Sequence, residues 1–539
     1  MRPPGCKGRM GFIPVRQAIR PAFRRQLKRR PTTLDACRQA RVTTERTRDM
    51  TLGRIQDFTP TRTAGLERLS QFIPRAGSAY ARMRNHDLGA GQHAHVSTLS
   101  PWIRHRLVTE AEVLDAVLAR HSLTAAEKFV QEVYWRTYWK GWLEQRPAVW
   151  EMYQQGLRAA LDQVQTQSGL RSAWADACTG QTGIDAFDHW AQELVQTGYL
   201  HNHARMWFAS IWIFTLRLPW ELGADFFLRH LLDGDPASNT LSWRWVAGLQ
   251  TRGKTYLARA DNIETYTGGR FRPKGLAGVA VPLEGPEVPR VPLPAPRMPD
   301  LTEPCALLLH DDDLSPAYLF DHGLAPVATA CLVTTRDRSP LHVAPHLEEF
   351  VQGAMADVTT RWADRLGPLT PALSGVGALA DWARATGARQ VVTPYAPVGP
   401  NATALRALEA ALAPDGIRLV RLQRRYDSAA WPQATAGFFK FKEKIPTLVA
   451  GLKGIGWCDA RAASARRAGG SLGRGHPVGQ FCITHNRQGV ESLELRHGAA
   501  GVAGRGRGIA ARHLDIIPEL EALGHVVIDP HHIRVRDRA

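Results

Sequence analysis

The chain has 539 residues, of which 44% are hydrophobic and 22% charged, a composition typical of globular proteins and a length that predicts two or three domains. No apolar run reaches the ~20 residues that span a bilayer, and the seven scattered cysteines form no Cys-x-x-Cys pair, which excludes a transmembrane helix and the usual zinc and iron–sulfur motifs. The formal net charge is +18, but residues 1–49 carry +11 of it and residues 455–539 carry +4, so basic character alone does not identify a nucleic-acid-binding protein.

The first 49 residues lack hydrophobic periodicity and contain Arg-rich pieces such as FRRQLKRR. Three interpretations are open: a disordered arm that binds nucleic acid, a targeting leader, or an extension upstream of the true start. A regular pattern begins soon after Met50, which favours the third. We therefore expect residues 1–49 to be a basic disordered tail or a non-native extension.

Residues 60–275 are predicted to form an all-helical domain, because apolar residues recur there at spacings of three and four. Twelve of the sixteen tryptophans fall between positions 102 and 245. The stretch 198–245 combines five of them with Asn, His, Arg and Asp side chains. This mixture indicates a pocket for a large, flat ligand with polar edges. The helical pattern is clearest in the segments 66–73, 102–121, 125–145, 183–198 and 201–218.

The rest of the chain changes character. Residues 276–304 are rich in proline and glycine and predict a linker. Residues 305–450 alternate short apolar strands with helices, which predicts a Rossmann-like α/β domain with a mainly parallel sheet. The run His-Asp-Asp-Asp at 310–313 could be a metal-binding cluster, but we expect a solvated loop. Residues 455–539 are predicted to be poorly ordered, apart from one αβ-like piece at 514–529.

Four segments carry the most specific pattern of the helical block: VSTLSPWI at 96–103, FVQEVYWRTYW at 129–139, the run from Trp174 to Met206, and LLDGDPASNTLSWRW at 231–245. In order and spacing they resemble the FAD-binding domain of the photolyase/cryptochrome family over about 200 residues. The resemblance implies bound FAD and light-driven chemistry on DNA. In that family an α/β antenna domain precedes the helical domain. Here the α/β block follows it, which predicts a circularly permuted order and a second, antenna chromophore of unknown identity.

The resemblance assigns contacts with FAD to nine residues: Tyr80, Arg84, Ser97, Leu99, Ser100, Arg205, Asp233, Asp235 and Asn239. Asn239 would face the flavin N5 atom. Arg205 and Asp233 would form an ion pair beside the ring, where the guanidinium favours a reduced, negatively charged flavin. Asp235 would bond the polar edge or the ribityl chain, and the other hydroxyl and guanidinium groups would meet the pyrophosphate. Val96 replaces a threonine of the family and lacks the hydroxyl for one phosphate hydrogen bond.

A second set matches the family's pocket for a cyclobutane pyrimidine dimer flipped out of duplex DNA: Glu132, Trp135, Arg136, Asn202, Met206 and Trp245. Trp135 and Trp245 would stack on the bases, while Glu132 and Asn202 would bond the base edges. Enzymes for the (6-4) photoproduct carry histidines at the positions numbered 202 and 206 here, so the pattern favours cyclobutane dimers. The family's next arginine is His203, which weakens a predicted phosphate contact.

Trp243 and Trp220 match the proximal and middle members of the tryptophan relay that photoreduces flavin in the family. With Asn239 they form the predicted catalytic set. The distal member falls at Gln167 or, with a small gap, at Val164, and neither is aromatic. The candidates for a substitute are Trp150, Trp207 and Trp212.

We therefore predict an FAD-dependent enzyme of the photolyase class that splits cyclobutane pyrimidine dimers in DNA. Two alternatives stay open: a cryptochrome-like blue-light photoreceptor that binds FAD without repair, and a helical DNA-binding protein that has lost flavin. We expect no metal, because His201 and His203 point apart on a continuous helix. We also expect no membrane partner, a monomer, and a reducing, cytoplasmic location in view of the odd, unclustered cysteines.

Overall fold

The computed structural model describes residues 58–452, apart from 371 and 374, and four short strands farther along the chain. The first part is helical, which confirms the predicted character of this block. A π-helical turn, Ile211–Thr215, extends the ninth helix. The helices are α1 Arg62–Phe72, α2 Ser78–Met83, α3 Ser100–Arg104, α4 Glu110–Leu118, α5 Glu127–Glu144, α6 Ala148–Thr166, α7 Ser168–Thr179, α8 Asp185–Thr197, α9 Asn202–Ser210, α10 Trp220–His230, α11 Pro236–Val246 and α12 Ala260–Tyr266.

Local sequence explains several helix ends. Thr109 begins α4 with a capping box, in which its hydroxyl accepts from the Glu112 N–H (3.3 Å) and the Glu112 carboxylate accepts from the Thr109 N–H (2.7 Å). Gly180 and Gly198 end α7 and α8 at φ 65° and 67°. Only glycine adopts this left-handed conformation without strain, so both helices stop where the sequence places it.

The helical pattern over 102–121 is interrupted in the structure. It is divided between α3 and α4 by a turn in which Arg106 has φ 50°, a conformation that is unfavourable for a residue with a Cβ atom. The Arg106 guanidinium donates to Asp427 (2.7 and 2.8 Å) and to Asp313 (3.1 Å). Buried ion pairs from the second part of the chain thus hold a turn that the local periodicity does not reveal.

The second part contains a four-stranded parallel sheet with the order β2-β1-β3-β4, which confirms the predicted parallel α/β character. Leu307 of β1 is paired with Thr329 of β2 and with Val392 of β3. The strands are β1 Cys305–His310, β2 Thr329–Leu332, β3 Gln390–Pro394 and β4 Arg418–Leu422. The helices are α13 Ala317–Asp321, α14 Pro345–Arg361, α15 Ala363–Leu366, α16 Val376–Ala385, α17 Pro400–Leu412, α18 Arg425–Ala430, α19 Phe438–Lys442 and α20 Ile445–Ala450.

The helical and sheet parts belong to one compact unit. Residues 276–304 contain no helix or strand, yet they run along the helical part. The Leu283 N–H donates to the Ala247 carbonyl (3.0 Å), and the Val291 N–H donates to the Gln145 carbonyl (2.8 Å). The Pro- and Gly-rich segment is therefore attached to the helices by backbone hydrogen bonds.

The run His310 to Asp313 is buried, so the predicted solvated loop is wrong. Arg104 donates to Asp312 (2.5 Å) and Arg106 donates to Asp313 (3.1 Å). These arginines come from the helical part and lie at the carboxyl end of β1. Because a buried guanidinium needs a carboxylate partner, the acidic run neutralises charges that the helical part brings to the sheet.

A buried glutamate makes a second contact between the two parts. Glu144, the last residue of α5, accepts from the Tyr395 hydroxyl and from the Val398 N–H, each at 2.6 Å. Tyr395 directly follows β3. In doubly wound sheets, ligands usually bind in the crevice at the carboxyl ends of the parallel strands. Here Glu144, Arg104 and Arg106 contact the sheet at those ends.

Farther along the chain, Gln480–Asn486 (β5) pairs with Gly489–Arg496 (β6), and Val526–Asp529 (β7) pairs with His532–Val535 (β8), both antiparallel. The prediction for 1–49 and most of the prediction for 455–539 lie outside the described residues. Within the described part of the chain, no helix is long and apolar enough to cross a membrane. Nor do its His, Cys, Asp and Glu side chains form a group of three or more that could hold a metal ion.

Candidate functional site

A cavity of about 620 Å³ lies in the helical part, within the range of about 300–1,000 Å³ that ligand pockets occupy. Its walls come from α2 and the turn before α3, from one face of α5, from the start of α9, from the turn between α10 and α11, and from one face of α11. The stretch 198–245 provides much of this wall. The pocket is thus where the clustering of tryptophans and polar residues predicts it.

Every predicted site residue except Trp220 lines this cavity. The predicted catalytic residue Trp243 is among the lining residues. The residues predicted to contact FAD also line the cavity: Tyr80, Arg84, Ser97, Leu99, Ser100, Arg205, Asp233, Asp235 and Asn239. The residues predicted to contact DNA line it as well: Glu132, Trp135, Arg136, Asn202, Met206 and Trp245. The two predicted sets therefore share one space.

Sequence reasoning missed several lining residues. Ser238 and Ser242 precede Trp245 by seven and three positions on α11, so helical periodicity could have found them. Tyr199 lies between α8 and α9, where no such spacing applies. The missed residues include Asn85, Thr98, Phe129, Val133, Trp139, Tyr199, Phe227, Ser238 and Ser242.

The predicted ion pair between Arg205 and Asp233 is present. Two parallel hydrogen bonds join Nη1 to Oδ1 (3.0 Å) and Nη2 to Oδ2 (2.8 Å), and Arg205 Nε donates to the Leu200 carbonyl (2.8 Å). Burial alone would raise the pKa of Asp233, but the attraction of Arg205 and a hydrogen bond from Ser100 lower it below the usual value. The pair therefore holds a fixed guanidinium at the cavity wall.

Arg84 and Glu132 form an ion pair inside the cavity, although the resemblance assigns one to the FAD pyrophosphate and the other to a base edge. The Tyr80 hydroxyl hydrogen-bonds to Arg84. Burial works to lower the pKa of Arg84, but attraction by Glu132 and Tyr80 outweighs it and raises the pKa. The cofactor and substrate sets thus meet at this pair.

Asp235 caps α11 and faces two cations. Its Oδ1 accepts from the Ser238 N–H (2.7 Å), as an N-cap carboxylate does. Its Oδ2 lies 3.9 Å from both Arg136 Nη2 and Lys140 Nζ. Burial would raise the pKa of Asp235, but Lys140 and Arg136 lower it. Lys140 is one helical turn after Arg136, a spacing that could have identified it from the sequence.

Several buried polar atoms on cavity-lining side chains have no hydrogen-bond partner among the described residues: Arg136 Nε and Nη2, Ser238 Oγ and Trp243 Nε1. All of them can donate. An unsatisfied buried donor costs roughly 1–3 kcal/mol, so this set favours a ligand rich in acceptor oxygens. The phosphate, ribityl and ring carbonyl oxygens of FAD are such acceptors, and the residues present therefore fit this group.

Asn239 presents an oriented amide to the same cavity. Its Nδ2 donates to the Ala224 carbonyl (2.9 Å), which fixes the plane of the side chain. Asn239 itself is buried. A rigid neutral amide is suited to face a ring edge whose protonation changes.

Backbone strain marks the wall formed by residues 97–99. Thr98 has φ 51°, which costs a residue with a Cβ atom about 1–3 kcal/mol and recurs at ligand sites. Arg68 Nε donates to the Thr98 hydroxyl (2.8 Å) and to the Ser97 carbonyl (3.0 Å). The turn is thus held in place from outside the cavity.

The His203 ring is held by two polar contacts and one stacked ring. Its Nδ1 lies 3.0 Å from the Asn85 carbonyl oxygen and its Nε2 lies 3.3 Å from the Tyr256 hydroxyl. The ring stacks on Trp207 with centroids 4.0 Å apart, and burial lowers its pKa. A neutral imidazole offers no charge to a phosphate, in line with the replacement of the family's arginine at this position.

The aromatic rings behind the cavity form two separate sets of contacts. The ring centroid of Trp243 lies 6.1 Å from that of Trp212. Trp220 lies off the cavity and contacts Tyr153 (5.7 Å), which in turn contacts Trp150 (5.1 Å). Of the candidate distal residues, Trp150 is therefore connected to Trp220 through Tyr153, a residue that no sequence signal distinguishes from a core aromatic.

Residues 129–275 match the FAD binding domain of DNA photolyase. The helical fold and its cavity thus define an FAD-binding domain of this class. This part of the chain is therefore similar to the photolyase/cryptochrome family.

The relatives match only part of the chain. The deoxyribodipyrimidine photo-lyase of Streptomyces griseus is 33% identical over 183 residues, which is 32% of this chain and 38% of the relative. That of a Synechococcus species is 30% identical over 195 residues, which is 35% of this chain and 39% of the relative. The solved structure of a bacterial class III photolyase from Agrobacterium tumefaciens is 26% identical, covers 42% of this chain and 47% of that chain, and has a TM-score of 0.33. This chain therefore spans less than half the length of the relatives it matches.

Proposed function

We propose that this chain is an FAD-dependent, light-driven DNA-repair enzyme that splits cyclobutane pyrimidine dimers. One observation carries the proposal: a single cavity gathers the residues that resemble the family's FAD contacts and those that resemble its dimer contacts. Electron transfer between two molecules weakens steeply with their separation, so the reaction requires that they share one site. When bound, FAD supplies the absorption of light and one-electron transfer. A second, antenna chromophore is part of the proposal without an assigned site.

The chain's own groups explain how FAD would be held. Arg136, Ser238 and Trp243 supply the unpaired donors for acceptor oxygens. Arg205 supplies a positive charge whose position is fixed by its carboxylate partner. The Asn239 amide, oriented by its bond to a backbone carbonyl, would face the ring edge. Because these groups are ordered before binding, the ligand does not have to immobilise them.

The opposite set would receive the lesion. Trp135 and Trp245 provide stacking surfaces, each worth about 1–3 kcal/mol per base. Trp245 is itself supported by Tyr256, whose ring centroid lies 5.8 Å away at 27°. Glu132 and Asn202 would accept and donate hydrogen bonds at the base edges. A dimer is already partly unstacked in duplex DNA, so flipping it requires less energy than flipping an intact pair.

Glu132→Gln is expected to lower the rate of dimer loss at limiting DNA about 10- to 100-fold, because a hydrogen bond to a charged group is worth about 1.5–3 kcal/mol. The measurement is dimer loss in an irradiated oligonucleotide under reducing conditions. Glu151→Gln, the same change on the exposed side of α6, is the matched control. Equal rates for the Glu132 variant and the unaltered protein would contradict the assigned role.

Trp220 is proposed as an internal electron donor, a role that its position off the cavity allows. Trp220→Phe is expected to slow the light-driven loss of visible flavin absorbance in the presence of an added thiol. Repair by protein that has been reduced chemically beforehand should stay unchanged. Trp190→Phe, a fully buried indole outside the proposed relay, is the control. If photoreduction is as fast in the Trp220 variant as in the unaltered protein, the relay does not pass through Trp220.

The decisive experiment uses protein purified in dim light, whose absorption spectrum is recorded before anaerobic illumination with a thymine-dimer oligonucleotide. Flavin bands with light-dependent dimer loss support the repair enzyme. Flavin bands without dimer loss in fully reduced protein would point to a photoreceptor. Folded protein that binds DNA but neither contains nor takes up FAD would overturn the proposal.

A further inference from the structure

Helix α19, which follows the sheet in the chain, lies against α5. The Tyr138 hydroxyl donates to the Ala436 carbonyl (2.7 Å), and Lys442 Nζ lies 2.8 Å from Glu127 Oε1. The Phe441 ring, fully buried, has its centroid 5.5 Å from that of Tyr138. These contacts hold α19 along the helix that carries three of the proposed substrate residues.

One ring of α19 lies directly on a proposed stacking residue. Phe438 and Trp135 are nearly parallel, with centroids 3.6 Å apart and planes at 11°, the closest ring pair among the described residues. Trp135 lines the cavity and Phe438 does not, so Phe438 covers the indole face that is turned away from it. Tyr138 and Trp139 contact the same indole at 5.6 and 5.1 Å.

We propose that Phe438 is a positioning residue that holds the Trp135 indole flat for stacking on the lesion, and thereby sets the preference for damaged over undamaged DNA. This inference rests on the proposed function. A base that stacks on an already ordered ring does not have to immobilise it, so the stacking energy appears as affinity. Phe438 lies outside the segment 129–275 that matches the family's FAD-binding domain. A segment that follows the sheet would therefore complete the substrate side of that domain.

The positioning is tested without DNA by fluorine NMR of protein labelled with 5-fluorotryptophan. The Trp135 signal is identified as the one that Trp135→Phe removes. Phe438→Leu is expected to shift and broaden this signal, because the ring loses its stacked partner. Phe439→Leu makes the same change at the adjacent residue, which is 81% exposed, and should leave it in place. An unaltered Trp135 signal in the Phe438 variant would overturn the positioning role.

The effect on recognition is tested with FAD-loaded protein and fluorescent oligonucleotides with and without a thymine dimer. An aromatic pair is worth about 0.5–1.5 kcal/mol, so Phe438→Leu should reduce the affinity ratio of damaged to undamaged DNA about two- to tenfold. Flavin content and affinity for undamaged DNA should not change. Phe438→Met, which refills the volume without a π face, is the second variant and should show the same loss, and Phe439→Leu should show none.

Full preference in both Phe438 variants, or an equal loss in Phe439→Leu, would overturn the inference. The proposed function fails in a different way, since the unaltered protein would then show no preference for the damaged oligonucleotide. Loss of flavin from both Phe438 variants would assign the residue to the general stability of the domain and would also overturn the positioning role.

Discussion

At the cavity wall, charged side chains meet in pairs whose members come from different elements. Arg205 faces Asp233, Arg84 faces Glu132, and Asp235 faces Arg136. Removing one member of a buried pair leaves the other charge without compensation, which is far more damaging than the loss of an exposed pair. The buried carboxylates Asp233 and Asp235 are therefore structural groups as well as proposed ligand contacts, so a substitution at either is expected to change both stability and binding.

Asp233→Asn is expected to lower the free energy of unfolding by about 3 kcal/mol, the lower end of the range for a broken buried pair, because it leaves the partly exposed Arg205 guanidinium without its carboxylate. The flavin content of the purified protein should fall as well. Urea unfolding and the ratio of visible to ultraviolet absorbance measure the two effects. Asp261→Asn, the same change in an exposed pair with Arg259, should alter neither. A fully stable, fully loaded Asp233 variant would show that the pair does not support the site.

Among the elements, α5 has two roles. Its cavity-lining face carries Glu132, Trp135 and Arg136, and its last residue reaches the sheet. That residue is Glu144, which is buried and accepts from Tyr395. Burial raises the pKa of Glu144 to about 7, although its two hydrogen bonds act in the opposite direction. Between its unfolded value near 4.5 and this value, the folded state keeps a proton that the unfolded chain releases.

The Glu144 contribution to stability therefore falls as the pH rises from about 4.5 to about 7, by about 3 kcal/mol, and then levels off. Glu144→Gln should lack this slope. The quantity to measure, by urea unfolding at each pH, is the free energy of unfolding of Glu144→Gln minus that of the unaltered protein. This difference should rise by about 3 kcal/mol between pH 5 and pH 8. Glu287→Gln, in an exposed position of the linker, should show a constant difference. A constant difference for Glu144→Gln as well would mean that the carboxyl is ionised in the folded state.

At the scale of the molecule, buried charges join the helical part to the sheet part. Arg106 contacts Asp313 and Asp427, and Arg424 contacts Asp313 through two hydrogen bonds of 2.6 Å. Arg104 donates both to Asp312 and to the carbonyl of Gly234 (2.8 Å), which lies in the cavity wall. The site and the sheet edge therefore share buried hydrogen bonds, and the two parts should lose their structure together.

Arg106→Ala is expected to lower the free energy of unfolding by about 3–5 kcal/mol, because its buried carboxylate partners lose their shared cation. Arg384→Ala removes an exposed arginine that also has two acidic partners, Asp381 and Asp415. It should leave the free energy of unfolding nearly unchanged, because solvent screens exposed ion pairs. Denaturant unfolding, followed by far-ultraviolet circular dichroism and by tryptophan fluorescence, measures both. A loss below 1 kcal/mol for Arg106→Ala would show that the parts are held together by other contacts.

Much of the fold and the outline of the site could be predicted from the sequence. The runs around Leu307, Thr329, Val392 and Val420 are the four strands of one parallel sheet, as predicted. They could be predicted because short apolar runs that alternate with helices are a signal within the local sequence. The resemblance named about half of the residues that line the cavity. It did not predict Tyr199, whose place depends on how the turn between α8 and α9 packs.

By itself, the sequence determined the helical character of one part, the strands of the other, and the residue types of the pocket. These properties follow from spacing and from neighbours within a few positions. Only the tertiary structure decided that Arg84 pairs with Glu132, 48 positions away, that Asp313 is buried against Arg106, 207 positions away, and that Phe438 lies behind Trp135. Such contacts depend on which surfaces exclude water together, and no local pattern records the partner across that distance.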